Sequence, residues 1–380
     1  MDFELTEEQR MVKEAAADFA KNSLLPKAEE FDQKEEIPQE IYKELAGLGY
    51  LGMLLPEKYG GSDLDFVSYI CAMEEFAKAC AALEIALSVH NSLVCDAILL
   101  FGTEEQKNKH LPALARGEMI GAYSLTEPGS GTDAGSLRTS AVLKGDHYLV
   151  NGTKTFVTNG GIADLFVVFV LTNPEAKSKG ISCLLVKKGA EGFSIGAKEK
   201  KMGIKGSDTR ELSFAESKIP KENLLGEENK GFRVALSLLN SGRIGVGAQC
   251  VGIAQAAFEE SLRYSKERVQ FGQPICNFQA ISFKLADMAT QIDAARLLVY
   301  RAAHMKSKGE KCNIEASMAK LFSSEVANRV VNEAVQIHGG YGYMKEYPVE
   351  RYFRDARVTE IYEGTSEAQR IVISRDLLKD

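Results

Sequence analysis

The sequence predicts an α+β fold, mostly α, built as helices, then a sheet, then helices again. Three observations carry this. Apolar residues recur at helical spacing over residues 1 to about 115. Helical periodicity fades over about 116–227, where Gly, Thr, Ser and Val rise and short apolar runs look like strands. From about 228 to 380 the chain returns to Ala, Leu, Glu and Lys in long helical stretches. These bounds divide the chain into an N-terminal all-α domain (1–115), a middle β domain (116–227) and a C-terminal helical bundle (228–380).

Each part follows from local signals. Thr6-Glu7-Glu8-Gln9 is a capping box, after which Met11, Val12, Ala15 and Phe19 form an expected apolar stripe. Pro56 to Gly61 is a turn, and a long apolar stretch covers 65–100. Gly102 ends a helix and Thr103-Glu104-Glu105-Gln106 opens the next. Leu165–Val170 and Ile181–Val186 read as strands, with turns expected at Lys144-Gly145-Asp146 and Asn151-Gly152. Long helices are expected within 232–266, 277–308 and 313–338.

Composition excludes several function classes. Acids outnumber bases, 53 to 46, for a net charge of −7, which argues against coating nucleic acid or an anionic membrane. No uninterrupted run of about 18 apolar residues suggests a membrane span. The start, Met1-Asp2-Phe3-Glu4-Leu5, has no signal-peptide character. The seven cysteines are odd in number and scattered without a Cys-x-x-Cys pair, and the five histidines are dispersed. No metal is expected, and a reducing, cytoplasmic setting fits.

Five segments could carry chemistry. Tyr123 to Asp133 contains Thr126-Glu127-Pro128-Gly129-Ser130-Gly131-Thr132, whose glycines and hydroxyls would admit a phosphate or a heterocycle edge. The plain alternative is a surface turn. In Asn151 to Gly161, Phe156 and Thr158 fall on one strand face and could cover a flat ring; the alternative is a hairpin with a half-buried Phe. Arg268-Val269-Gln270-Phe271-Gly272 offers a guanidinium for a pyrophosphate, or merely a helix stop at Gly272. Gln336 to Tyr343 holds three glycines in four positions, more than a helix stop needs, and His338 reads as structural. Glu363 sits where a loop meets the last helix, as a base or as a dipole complement.

Together, in this order and spacing, the segments resemble the acyl-CoA dehydrogenase family. The match includes Leu5-Thr6-Glu7-Glu8-Gln9, Pro56 to Gly61, Leu125 to Gly129, Arg268 to Gly272, the glycines at 339–342 and Ile361 to Thr365, and it spans essentially the whole chain. It is closest to the bacterial short-chain, butyryl-CoA-type branch. The resemblance implies a barrel-like middle domain, a C-terminal four-helix bundle, a homotetramer, and FAD held between the β domain and the C-terminal helices.

By position, Tyr123, Leu125 and Thr126 would line the flavin edge, Gly131 and Thr132 its pyrophosphate, and Phe156 and Thr158 its face; relatives often have Trp at the position of Phe156. Arg268, Phe271, Gln279, Gln336 and Gly340 would hold the pyrophosphate and adenosine, partly from a neighbouring subunit. Thr365 and Glu367 would complete the cofactor site. Thr132, Asn240, Arg243, Tyr362 and Gly364 would meet the acyl-CoA substrate; relatives often have Asp at the position of Asn240. Glu363 would remove the α-proton while flavin N5 accepts the β-hydride. The enolate oxygen would be held by the Glu363 N–H and a ribityl hydroxyl, and electrons would pass to electron-transfer flavoprotein. One branch carries its base on the helix near Arg243, where this chain has Gly242.

The helix around Ala81 to His90 should line the acyl tail by resemblance. Glu84 is the carboxylate in that apolar run. Relatives that use glutaryl-CoA have Arg near here, so that substrate is disfavoured. The preferred reading puts Glu84 on the solvent side. The other has it facing the pocket, touching a polar tail or serving as a second base for a cyclic (cyclohexane or cyclohexene carboxyl) acyl-CoA. An acyl-CoA oxidase is the enzymatic rival, disfavoured by length, and an FAD- or CoA-binding scaffold is the non-catalytic one.

Overall fold

The computed structural model describes residues 4–379. The expectation drawn from Met1 to Leu5 therefore falls partly outside the described residues. Helix α1 (Glu7–Phe19) opens with the expected capping box, Thr6 Oγ1 accepting from Gln9 N at 3.2 Å and Gln9 Oε1 accepting from Thr6 N at 3.0 Å. Its apolar stripe differs from expectation. Met11 and Ala15 face solvent, whereas Ala16 and then Ala20 are buried, with Val12 and Phe19 packed at the margin. Small residues, not the largest, form the seam against the next layer.

Helices α2 (Ala28–Lys34) and α3 (Gln39–Gly47) lead to α4 (Phe66–Ser88), capped by Asp65 Oδ1 accepting from Ser68 N at 2.6 Å. Almost every α4 residue is buried, and the helix kinks at Cys80, where φ is −154° and ψ is 92°. It runs on through a π-helical segment (Val89–Cys95) into α5 (Asp96–Phe101), which Gly102 stops; Thr103 then caps α6 (Glu104–Ala115). The stretch Phe66–Phe101 is long and apolar enough to cross a membrane, but 89% of its most apolar window is buried inside the protein. It is a core helix, hydrophobic all round because it is enclosed all round.

The chain changes to strands: β1 (Gly121–Ser124), β2 (Ser140–Lys144), β3 (His147–Thr158), β4 (Leu165–Leu171), β5 (Ile181–Lys187), β6 (Phe193–Lys198) and β7 (Thr209–Pro220). They form one sheet, ordered β1-β4-β2-β3-β7-β6 with β5 on β4. β4 and β5 are almost wholly buried runs, as strands covered on both faces must be. Gly145 makes the β2–β3 turn, but Asn151-Gly152 does not make another. It lies inside β3, where the register with β7 shifts between Val150 and Gly152, so it is a bulge. A second shift, between Lys154 and Val157, leaves Phe156 left-handed at φ 57°.

The last part is helical: α7 (Gly231–Glu267), a short hairpin of β8 (Val269–Gln270) and β9 (Gln273–Pro274), α8 (Gln279–Ser307), α9 (Asn313–His338), α10 (Val349–Ala356) and α11 (Ser366–Leu377). α7 packs on α9, α8 and α4, and α11 packs on α9. Gly272 is not a helix stop. α7 ends at Glu267, Arg268 is its extended cap, and Phe271-Gly272, with φ 50° and 77°, form the two-residue hairpin tip. One continuous core joins the helices of both ends of the chain; a smaller one lies within the sheet.

Candidate active site

The site is assembled where α4, α7, α9 and the loop before α11 meet. Glu363 takes a left-handed backbone, φ 51°, followed by Gly364 at 90° and the helix cap Thr365, whose Oγ1 accepts from Ala368 N at 3.2 Å. A non-glycine residue held there costs about 1–3 kcal/mol, so the surroundings must hold it. They do. Lys320 on α9 donates to the Gly364 carbonyl at 2.7 Å, and Gln369 Nε2 donates to the carbonyls of Glu363 and Gly364 at 3.1 and 2.9 Å.

The Glu363 carboxylate points at α7. A Cβ on Gly242 would lie 2.7 Å from its Oε2, so the carboxylate can rest there only because residue 242 has no side chain. That oxygen is buried and has no hydrogen-bond partner. Burial pushes the Glu363 carboxyl above its ordinary value, and the Arg243 and Lys320 charges draw it part of the way back. Arg243 is held by its Nη1, which donates to Asn240 Oδ1 at 3.2 Å and Ser317 Oγ at 3.4 Å, leaving a buried Nε unpartnered. Lys320 is fully buried, and desolvation pulls it down to about 8 against the neighbouring acidic groups. Tyr362 donates its hydroxyl to Gln249 Oε1, and Gln249 Nε2 donates to Ala81 O on α4 at 3.0 Å.

Glu84 is 0% exposed, contrary to the preferred expectation of a solvent-facing position. Both its carboxyl oxygens are buried without a partner. α4 has no solvent side at this depth, which is why a polar-outward reading fails. Burial drives this carboxyl well above its ordinary value, and its charge would act on Tyr362, Tyr69 and Cys250.

A second group faces the sheet. Tyr123, next to last in β1, has a buried, unpartnered hydroxyl, which burial and then the Glu363 charge hold in its neutral form. The loop after it is pinned to β3: Thr155 N donates to Thr126 O at 3.0 Å, and Lys154 Nζ donates to Leu125 O at 3.1 Å and Glu127 Oε1 at 2.7 Å. Lys154 is 0% exposed and is pulled down to about 8 by burial, against Glu127. Glu127 also accepts from Arg138 N and Thr139 N at 2.7 and 3.0 Å. Beyond this anchor Gly131 and Thr132 are exposed, and a Cβ on Gly131 would meet nothing within 4 Å. Phe156 is 67% exposed and Thr158 half-buried, with Val157 buried between them.

A third group lies apart. Arg268 and Gly340 line one cleft with Tyr264, His338 and Tyr341, which includes none of the residues from 123 to 158 or 362 to 367. Phe271 is 94% exposed at the hairpin tip, while Gln279 and Gln336 are exposed on α8 and α9. Glu367 is exposed in the first turn of α11. His338 is structural: its Nδ1 pairs with Ala334 O at 2.8 Å and its ring stacks on Tyr264.

These surroundings fit FAD. The buried orphan hydroxyl of Tyr123, which feels the Glu363 charge, the Leu125–Thr126 backbone pinned to β3, the open glycine turn and the projecting Phe156 offer polar edges and a flat cover. Sequence reading missed Lys320, Gln369 and Lys154. Lys320 had a signal: it falls on the stripe Ala316, Ala319, Ser323 and Ala327, where small residues mark a buried face. Lys154 had none nearby, because its partner lies 27 residues away.

Comparison with known proteins gives matches along the whole chain. The chain matches the acyl-CoA dehydrogenase N-terminal domain over residues 6–118, the middle domain over 122–217 and the C-terminal domain over 229–378. It is 52% identical over 374 residues to an acyl-CoA dehydrogenase of Bacillus subtilis, covering 98% of this chain and 99% of that one. It is 49% identical over 379 residues to a short-chain specific acyl-CoA dehydrogenase of Clostridium acetobutylicum, covering 100% of both. An acryloyl-CoA reductase (NADH) of Anaerotignum propionicum is 48% identical over 381 residues, covering 100% of this chain and 96% of that one. Among solved structures, butyryl-CoA dehydrogenase from Megasphaera elsdenii superposes with a TM-score of 0.98 at 50% identity, covering 100% of both chains. A chain from work on the electron transferring flavoprotein of Acidaminococcus fermentans superposes at 0.99 and 50% identity, again covering both fully.

Proposed function

We infer the reaction from one premise: this chain belongs to the acyl-CoA dehydrogenase family. It is an FAD-dependent oxidoreductase of the short-chain type, acting on the α,β carbon–carbon bond of an acyl-CoA thioester and working with electron-transfer flavoprotein. When bound, FAD accepts the electron pair that leaves the β-carbon as a hydride.

The protein's own part centres on Glu363. A thioester α-proton is weakly acidic, so its base must be strong, fixed and dry. Burial raises the basicity of Glu363, whose carboxylate would take the proton. Lys320 and Gln369 hold the carbonyls of Glu363 and Gly364, fixing the backbone of this loop, in which the Glu363 N–H would meet the developing enolate. Arg243 offers an unpartnered Nε to the thioester side. Tyr123, Leu125, Thr126, Gly131, Thr132, Phe156 and Thr158 would hold the flavin and its pyrophosphate. Asn240, Tyr362 and Gly364 would border the substrate. Arg268, Phe271, Gln279, Gln336 and Gly340 form a separate outer group, which suits a cofactor shared across a homotetramer. Thr365 acts on this chain as the α11 cap, with Glu367 beside it.

The orphan carboxylate of Glu363 over Gly242 is the observation that carries this reading. Glu363→Gln should cut the anaerobic bleaching rate with butyryl-CoA by about 10³-fold, with FAD still bound. Bleaching at the wild-type rate would remove Glu363 as the base. A second reading, enoyl-CoA reduction, draws on the relative named an acryloyl-CoA reductase. Oxidation of reduced enzyme by crotonyl-CoA under electron-transfer flavoprotein turnover distinguishes the directions, and peroxide release in air would mark an oxidase. We place the enzyme in the cytoplasm, in keeping with its bacterial relatives and with the absence of disulfides among the described cysteines.

A further inference from the structure

The loop that carries Glu363 is held from two sides. After the base, Lys320 and Gln369 take the carbonyls of Glu363 and Gly364. Before it, Val358 O accepts from Ile361 N and Tyr362 N at 2.8 and 3.1 Å. The chain must then pass from a right-handed Ile361 to the left-handed Glu363 within two residues. In that passage the side chain of Tyr362 makes one described hydrogen bond, its hydroxyl to Gln249 Oε1.

Gln249 lies on α7, where every residue from Ser241 to Ala254 is buried, and it is itself 0% exposed. An amide this deep is costly unless its bonds are made. Both of its described bonds leave its own helix: Nε2 donates to Ala81 O on α4 at 3.0 Å, and Oε1 accepts from Tyr362. A backbone carbonyl only accepts, so the NH2 end of the amide must face Ala81 and its oxygen must face the tyrosine. Tyr362 is thereby obliged to donate, and burial keeps the proton on it. The amide is a strut of fixed polarity between two core helices and the residue beside the base. Its far end rests on backbone, directly after the kink at Cys80, and not on a movable side chain.

We propose that Gln249 is a positioning residue for proton abstraction: through Tyr362 it fixes the backbone that presents the Glu363 carboxylate. This deepens the reading of Glu363 as the base and rests on it. A non-glycine residue in the left-handed region stays there only while its surroundings hold it. Loss of the strut leaves the clamps after the base intact but frees Tyr362 before it. The carboxylate then meets the α-proton with poorer aim, which costs rate and not binding.

The test uses purified FAD-loaded enzyme under anaerobic conditions, as wild type, Gln249→Met, Tyr362→Phe and the double variant. Methionine fills nearly the same volume as glutamine without its amide, so the core stays packed. Three quantities are read: exchange of the α-protons of butyryl-CoA for solvent deuterium by mass spectrometry, the rate of flavin bleaching, and the Kd of crotonyl-CoA by titration. Gln249→Met and Tyr362→Phe should each slow exchange and bleaching by about tenfold, with the Kd unchanged within about twofold. The double variant should be no slower than the slower single, because both changes remove the same strut. Exchange at the wild-type rate in Gln249→Met overturns the proposal. So do losses that multiply in the double variant, or a Kd that weakens in step with the rate, the mark of a pocket loosened throughout. If Gln249→Met does not fold, Tyr362→Phe decides alone, and exchange at the wild-type rate there overturns the proposal. Glu363→Gln, run beside them, separates the two readings. Wild-type exchange in that variant strikes Glu363 as the base and the proposal with it; slow exchange there beside wild-type exchange in Gln249→Met strikes the proposal alone.

Discussion

The two ends of the C-terminal helices are built on opposite principles. Around Glu363 the charged groups Arg243 and Lys320 are buried, and even the backbone of the Glu363 loop is clamped by Lys320 and Gln369. Around Arg268, Phe271 and Gly340 the surface is open, and an aromatic ring stands 94% exposed on a tight hairpin. The enclosed end is complete within one chain. The open end presents apolar and cationic groups with nothing of its own chain above them, the mark of a surface that meets something else. The contrast separates a carboxylate preorganised within the single fold from an open surface that, as we propose, retains part of the cofactor through association.

Breaking the enclosed end should have the larger effect. Lys320→Met removes the donor to Gly364 O and a positive charge near the base. Misplacing the base by about 1 Å would cost about 10²-fold in kcat. The Lys320 charge lowers the Glu363 pKa, so its loss should also move the acid limb of the kcat profile to higher pH. An unmoved limb would show that Lys320 only fills space. Phe271→Ala at the open end should leave kcat near wild type at saturating FAD. It should weaken FAD retention on dilution or gel filtration by roughly fivefold, the scale of one lost aromatic contact. A fall in kcat with FAD retention intact would erase the distinction between the two ends.

The smallest effect on turnover concerns His90, which braces the enclosed end from below. Gly121 N donates to its Nδ1 at 3.1 Å and its Nε2 donates to Leu51 O at 3.0 Å, so the ring is neutral and joins β1 to the N-terminal helices. Burial pulls it down to about 4. Its folded value lies below the unfolded one, about 6.5. The contribution is therefore intact above pH 6.5 and is lost as pH falls toward 4, to the extent of about 3 kcal/mol. Urea unfolding of wild type and His90→Gln at pH 7 and 4.5 checks this; the variant should lose less stability on acidification.

Local signals made much of this fold legible. Both capping boxes, at Thr6 and Thr103, and the stop at Gly102 are set by residues a few positions apart. The strands β4 and β5 announce themselves as apolar runs. What escaped was set by distant partners. A glycine after a helix reads as a cap, but after Arg268 the chain turns back on itself, and only pairing of Val269 with Pro274 reveals it. Asn151-Gly152 has the chemistry of a turn, yet pairing of β3 with β7 on either side keeps it extended. Glu84 could not be oriented from α4 alone, since a helix without a polar face gives no direction to solvent. The place of Glu363, in the loop that leads into the last helix, was legible from its motif; the hold of Lys320 and Gln369 on its backbone was not.

The contact between Gly242 and Glu363 makes the two positions share one volume. A side chain begun on α7 at position 242 would start 2.7 Å from the Glu363 Oε2, so the carboxylate must swing aside before any bulk is added there. The bareness of one helix position thus sets where the acid of another element comes to rest.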